Sequence, residues 1–406
     1  MIRKTFTAIA LSLIVITACK KTDTAPDTGK ELSLTANEQL KVTADNAFTL
    51  KLFKATLNGN PDADNLFLSP LSVSIAVGMT SNGAAGQTLQ AIRQTMDFNN
   101  FTEDEVNSYY HKMMTELPQL DPKTTLKFAN SIWYANIFTP IPAFLQGNAS
   151  NYNAKIEALD FNNPATKDVI NSWVNNATDG KITSIINNIP SNARMYLINA
   201  IYFKSSWASK FDVTQTQKGN FYLPSGNTVQ ADLMNGDGNF NSVTTPDVRI
   251  LELPYSNKKF SMVLLSPTQK PVKEYAAGLD SAKWQTLMAS LTATHALVTM
   301  PKFKFSYDII LTNILSNLGM ANAFSGNADF TRIVAAGGLA ITEVKHKAYV
   351  EVNEDGTTAA AVTSVGVGST APAPNYIRFD HPFIFAIREM KSGLLLFAGV
   401  VNDPTK

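Results

Sequence analysis

The side chains able to do chemistry in this chain are few and scattered. Its four histidines stand at positions 111, 295, 346 and 381, without the spacing of metal ligands. Its one cysteine is Cys19, so neither an intrachain disulfide nor a cysteine-based metal centre can form. The chain lacks Gly-x-Ser-x-Gly, His-Glu-x-x-His and Gly-x-x-x-x-Gly-Lys-Ser/Thr. With them go the nucleophile elbow, the zinc-hydrolase helix and the phosphate loop. Asn235-Gly236-Asp237-Gly238-Asn239 carries oxygen ligands but not the full calcium-loop pattern, and it reads as a turn. No metal, no cofactor and no enzymatic activity are expected. The hydrophobic content, 45%, is that of a globular protein. The formal net charge of +1 makes no electrostatic case for nucleic acid.

What remains is a stretch whose chemistry is that of a backbone able to change partners. Glu354-Asp355-Gly356-Thr357-Thr358-Ala359-Ala360-Ala361-Val362-Thr363 follows a strand-like run at 347–353. From Gly356 to Ala371 there is no proline, charge or aromatic ring. In an extended chain Thr357, Ala359, Ala361, Thr363 and Val365 share one face, and Thr358, Ala360, Val362 and Ser364 the other. None is too bulky or too polar to be buried, so the segment can stay outside a sheet or slide into one. A flexible inter-domain linker has a similar composition. Only about forty residues follow, however, too few for a second core.

The rest of the chain supplies the elements that would receive such a strand. A first amphipathic helix is expected over 40–57, with Leu40, Ala44, Phe48, Leu52 and Phe53 inward and Asn37 as its start. A short strand at 65–68 stops at Pro70 and feeds a buried helix over 71–81. Surface helices follow at 83–96 and 102–117, the second opened by acids suited to the positive end of the helix dipole. Strands are expected at 126–134, 196–204, 250–255, 260–265, 296–305, 379–387 and 394–402. A helix over 311–320 is closed by Gly319. The fold class is α+β.

Several motifs in this order resemble the serpin family. They are Ser69 and Ser72 at the head of the buried helix, Ile170-Asn171-Ser172-Trp173-Val174, then Thr178-Asp179-Gly180-Lys181-Ile182. Next come Tyr196 to Lys204 with Trp207, Phe211 and Phe221 behind it, and finally the Gly-Thr-Thr-Ala-Ala-Ala hinge. The likeness spans about residues 37–404. It implies the serpin fold: three β-sheets, about eight or nine helices and an exposed reactive loop. Glu354, Gly356, Thr357, Ala359, Ala360, Ala361 and Thr363 would be the hinge. Ser69, Ser72, Asn199 and His346 would form a polar shutter under the sheet centre. Lys302, Glu354 and Trp207 would form the breach where the loop enters, with a Lys302–Glu354 ion pair; core packing is the other reading of Trp207.

The resemblance implies suicide inhibition. A protease nucleophile attacks the loop, and the cleaved loop then inserts as a strand, carrying the acylated protease with it. Counting from Gly356 in the usual register places the cut after Thr370. Counting back from Phe379 places it after Ala371, where Pro372 would block cleavage. The expected bond is therefore Thr370–Ala371, with Val367, Gly368 and Ser369 as alternative positions. No Arg or Lys lies between Gly356 and Asn375, and Val367 and Thr370 suit the small apolar pocket of elastase-like serine proteases. Val367 could also direct a papain-like cysteine protease to cut after Gly368. Extended, 356–370 spans roughly 50 Å. The alternative is a non-inhibitory, surface-binding member that uses the fold as a scaffold. A monomer is expected.

The N-terminus has its own pattern. A basic start, an apolar run over 8–17 and Ile16-Thr17-Ala18-Cys19 resemble a bacterial lipoprotein signal with its lipobox. Residues 1–18 would be removed, Cys19 acylated, and 19–36 left as a tether to a domain at 37–406. Lys20 after the cysteine favours the outer membrane, on its periplasmic or cell-surface face.

Overall fold

The computed structural model describes residues 29–61, 63–137, 139–191, 193–357 and 375–406. The expected leader and Cys19 lie outside the described residues, as do Ala359, Ala360, Ala361, Thr363, Val367, Gly368, Ser369, Thr370 and Ala371.

Thr35-Ala36-Asn37-Glu38 is a capping box. The Thr35 hydroxyl accepts from the Glu38 N–H at 3.2 Å, and the Thr35 N–H donates to the Glu38 carboxylate at 2.7 Å. Helix α1 (Ala36–Gly59) therefore starts at Thr35, not at Asn37. The residues before it pack on the domain: Leu32 is buried, and the Lys30 N–H donates to Gln119 O at 3.0 Å. The expected tether thus ends earlier than residue 36. The inward face of α1 also differs from the expectation. Leu40 is 62% exposed, while Lys41 and Asp45 are buried. Lys41 Nζ meets Asp45 Oδ1 at 2.5 Å and lies over the rings of Phe98, Tyr109 and Tyr110. Tyr110 donates to the same carboxylate oxygen at 3.0 Å. The rings and the phenol compensate the desolvated charges.

Strand β1 (Asn65–Leu68) ends at Ser69, which caps α2 (Pro70–Ser81) by accepting from the Ser72 N–H at 3.3 Å. Pro70 sits at the first helical position, where its missing N–H costs nothing. Helix α2 is apolar nearly all round and almost wholly buried. Around it lie α3 (Gly86–Thr95), α4 (Glu103–Glu116) and α5 (Pro142–Tyr152). Helix α6 (Thr166–Ala177) packs on β2 (Thr125–Ala135), with Trp173 edge-on to Trp133 at 5.8 Å. A smaller core of Trp133, Ile170, Val174 and Ile182 lies beneath it.

The strands form three sheets among the described residues. In one, β4 (Met195–Ser206) pairs antiparallel with β2, β2 pairs parallel with β3 (Lys155–Leu159), and β12 (Gly356–Thr357) lies on the other edge of β4. A second consists of β10 (Phe303–Ile310) and β11 (Lys345–Val352). The third and largest holds β1, β5 (Gln217–Tyr222), β6 (Thr228–Thr244), β7 (Val248–Pro254), β8 (Phe260–Pro267) and β9 (Thr292–Pro301). It is completed by β13 (Asn375–Arg378), β14 (Phe383–Glu389) and β15 (Leu395–Val401). Short helices α7 (Val272–Ala277), α8 (Ser281–Ala289) and α9 (Thr312–Leu315) complete the nine α-helices among the described residues.

Three local expectations are corrected. Asn235 to Asn239 is not a turn but the middle of β6, paired with β9 from Leu233↔Pro301 to Ser242↔Thr292. Gly236 is there because a Cβ would press on the Phe211 ring at 3.0 Å. The single strand expected at 296–305 is two strands. The Lys302 N–H donates to Asp232 O at 2.8 Å, and the chain passes there from one sheet to another. Gly319, at φ +129°, kinks the helix after α9 rather than closing it, and helical turns continue to Phe324.

Candidate functional site: a strand edge and its latch

The candidate site lies where the chain leaves β11. Asn353 and Gly356 exchange backbone hydrogen bonds at 3.0 and 3.2 Å, which turns the chain back on itself. Gly356 then pairs with Ser206 and Thr357 with Ser205, antiparallel, on the edge of β4 that β2 does not use. Glycine is required at 356. Its φ is +144°, and a Cβ would stand 2.3 Å from the Ser205 carbonyl oxygen. Thr357 is 4% exposed, and its hydroxyl is 2.9 Å from that of Tyr255. Among the described residues no ladder joins β4 to β11. A strand continuing in the register of Gly356 and Thr357 would run down that edge of β4.

The turn is held by residues on the segment after β4. Trp207 donates from its backbone N–H to Asp355 O at 2.8 Å and from its indole to Asn353 O at 2.9 Å. Its ring stacks on Tyr255 at 4.6 Å. Trp207 thus both packs on Tyr255 and lies against the turn that carries Glu354. Phe211 N–H donates to Glu354 O at 2.9 Å, and Lys210 pairs with Asp355 at 3.0 Å.

Lys302 and Glu354 meet at 3.1 Å, and the Thr216 hydroxyl donates to the same carboxylate at 2.7 Å. Burial pushes the Glu354 pKa up, but hydrogen bonds from Thr216, its own backbone N–H and Lys302 outweigh it, and the net direction is down. Sequence reading missed Tyr255, Thr216 and Lys210. Only the register of neighbouring strands, not local composition, brings them here.

Deeper under the sheets, three of the four expected shutter residues share one hydrogen-bonded group. The Ser69 N–H donates to His346 Nε2 at 3.1 Å, the Ser69 hydroxyl donates to Leu396 O at 2.9 Å, and the Ser72 N–H donates to the Ser69 oxygen. Burial pushes the His346 pKa down to about 4. Asn199 is not hydrogen-bonded to them. It donates to Asn130, its cross-strand neighbour on β2, which in turn donates to Tyr152 O at 2.7 Å. Asn199 Oδ1 is buried with no donor. Among the described residues, no group of three or more His, Cys, Asp or Glu side chains is placed to hold a metal ion.

Comparison with known proteins adds to this geometry. The profile of the family Serpin (serine protease inhibitor) matches residues 43–404. Iripin-3 of Ixodes ricinus is 35% identical over 353 residues, covering 84% of this chain and 89% of its own. The leukocyte elastase inhibitor of Homo sapiens is 32% identical over 386 residues, covering 90% and 100%. The native state of Tengpin, a thermophilic serpin, superposes with a TM-score of 0.83 at 32% identity over 92% of this chain and 96% of that one. Human thyroxine-binding globulin complexed with thyroxine has a TM-score of 0.85 at 27% identity, over 91% and 100%.

Proposed function

The chain belongs to the serpin family, and we propose that it is an inhibitory member that traps serine proteases of small apolar specificity as covalent acyl-enzymes. The observation that carries this reading is the pairing of Gly356 and Thr357 with the end of β4, on an edge that makes no backbone ladder with any other described strand. The small residues that follow in sequence, Thr358 to Val365, can be buried on either face of an added strand. A serine nucleophile attacks the Thr370 carbonyl; the Thr370–Ala371 bond breaks, Ala371 leaves as an amine, and Thr370 stays on the enzyme as an ester. Insertion from Gly356 onward then adds ladder bonds along β4 and draws the acylated protease away from where it bound. The likeness to a leukocyte elastase inhibitor, with Val367 and Thr370 in the loop, supports an elastase-like target. Val367 also supports a secondary cut after Gly368 by papain-like cysteine proteases. Metalloproteases form no acyl-enzyme and should only clip the loop.

The leader pattern supports a place for this activity: a lipoprotein acylated at Cys19 and held at the outer membrane as a monomer.

The test is to mix the chain with an elastase-like serine protease and run a denaturing gel. A band at the summed mass that survives boiling is expected, together with a released peptide beginning at Ala371. Clipped protein beside fully active protease, with no gain in thermal stability on clipping, would instead support a scaffold role, such as the thyroxine binding stated for the globulin relative.

A further inference from the structure

A cleft of about 570 Å³ opens where the end of α1, the turn after β5, the connection from β8 to α7 and the residues before β14 meet. None of the residues that hold the Gly356 turn lines it. Its walls are rich in proline: Pro61, Pro224, Pro267, Pro271 and Pro382 all line it. Proline fixes its own φ and offers no N–H, so these walls are stiff, apolar and largely pre-formed. Leu57 and Val272, both buried, give the cleft an apolar floor. Tyr222 and His381 give it a π surface. Their rings stack at 4.7 Å and 23°, and Tyr222 stays 39% exposed.

The charged lining has one sign. Arg249, Lys270 and Lys273 line the cleft, and among the described residues no Asp or Glu does. Lys270 is held by Glu274 at 3.0 Å, and His381 by Asp380 at 2.7 Å. Arg249 and Lys273 make no ion pair among the described residues. Of the two, Arg249 is the better placed. Its neighbours in β7, Val248 and Ile250, are buried, so strand alternation turns its side chain to the opposite face. Ser266, its register partner on β8, lines the same cleft. Arg249 is half-buried, and a guanidinium partly removed from water presents a rigid fork of donors that matches a planar anion.

We propose that this cleft binds a small aromatic anion, a carboxylate or a phosphate monoester. The anionic group takes the Arg249 fork, Lys273 adds charge at the rim, and the ring lies along Tyr222 and His381 above Leu57 and Val272. A neutral aromatic molecule of the same shape keeps the ring contact and loses the charge contact. A bare inorganic anion does the reverse. The site therefore favours the molecule that carries both.

Isothermal titration calorimetry on the full chain tests this, with 2-naphthoate, 2-naphthyl phosphate, 2-naphthylmethanol and inorganic phosphate as probes at matched ionic strength. Saturable binding of the two aromatic anions is expected, at least about tenfold tighter than that of the alcohol or of inorganic phosphate. The tighter of the two anions assigns the group that the Arg249 fork accepts. Arg249→Gln should weaken binding about tenfold. Lys273→Gln, at an exposed position of α7, should weaken it about twofold to threefold, and it keeps the test open should Arg249→Gln not fold. Equal binding of the alcohol, equal binding of inorganic phosphate, no saturable binding of either aromatic anion, or binding unchanged in both variants would overturn the assignment.

Discussion

The backbone N–H of Ser69 donates to Nε2 of His346 across 3.1 Å, and that bond requires a neutral imidazole with its proton on Nδ1. It joins the cap of α2 to the start of β11, two elements far apart in sequence. Protonation at Nε2 would remove the acceptor and place an unpaired charge in the interior.

A pH dependence follows. In the unfolded chain a histidine titrates near 6.5, whereas burial holds His346 down at about 4. Below about 6.5 the unfolded state takes up a proton that the folded state resists. The contribution of His346 is therefore complete above that pH and is lost as pH falls towards 4. Fully expressed, it is on the order of 3 kcal/mol. Urea unfolding at pH 7.5 and pH 4.5 should show the drop, and His346→Gln should remove at least half of it. An undiminished drop in that variant would rule out His346 as the acid-sensitive group. Glu354, also held low, loses its contribution only as pH falls below about 4.5.

Thr357→Arg places a cation where a 4%-exposed threonine meets Tyr255. Burying an unpaired charge costs several kcal/mol, so insertion should stall at its first buried side chain. The variant should be cut as a substrate with little covalent complex on a denaturing gel. Complex formation equal to the unmodified chain would refute the insertion mechanism.

Gly356→Ala tests the backbone rather than the side chain. Strain of about 1–3 kcal/mol is expected at φ +144° with the Ser205 carbonyl in the way. Titration of protease activity should show more inhibitor consumed per protease trapped. An unchanged stoichiometry would mean that the pairing with Ser206 is not on the inhibitory path.

The buried pair in α1 predicts a non-additive double mutant. Lys41→Met alone strands the Asp45 carboxylate among Phe98, Tyr109 and Tyr110 and should cost about 3–5 kcal/mol in chemical denaturation. Lys41→Met with Asp45→Leu should recover most of that loss. Additive costs would show that the ion pair is not coupled in the fold.

Strands and helices with a clean period were legible in the chain; of the expected hinge, the structure describes Glu354, Gly356 and Thr357, at the turn after β11. What was hidden depended on partners distant in sequence. Lys41 and Asp45 were not among the inward residues expected for α1, because the rings around them come from α4 and the segment before it. Asn235 to Asn239 has the composition of a turn, yet it is a strand because β9 pairs along its length and Phe211 leaves no room for a Cβ at Gly236. Asn199 was grouped with His346, but its amide is met by Asn130 directly across from it on β2. The Thr35–Glu38 capping box, by contrast, was open to a sequence reader, since Thr-x-x-Glu is a local signal.

Strand β13 rests on β9, β9 on β6, and β14 and β15 lie farther inside the same large sheet. The described residues on either side of 358–374 thus belong to different sheets, since Gly356 and Thr357 pair with β4. A break of the chain anywhere within 358–374 would yield two polypeptides that remain interwoven. The C-terminal piece keeps three of its strands laced through the body, so a sizing column run in plain buffer would register one particle of unchanged mass. A denaturant would separate the two pieces and reveal the cut.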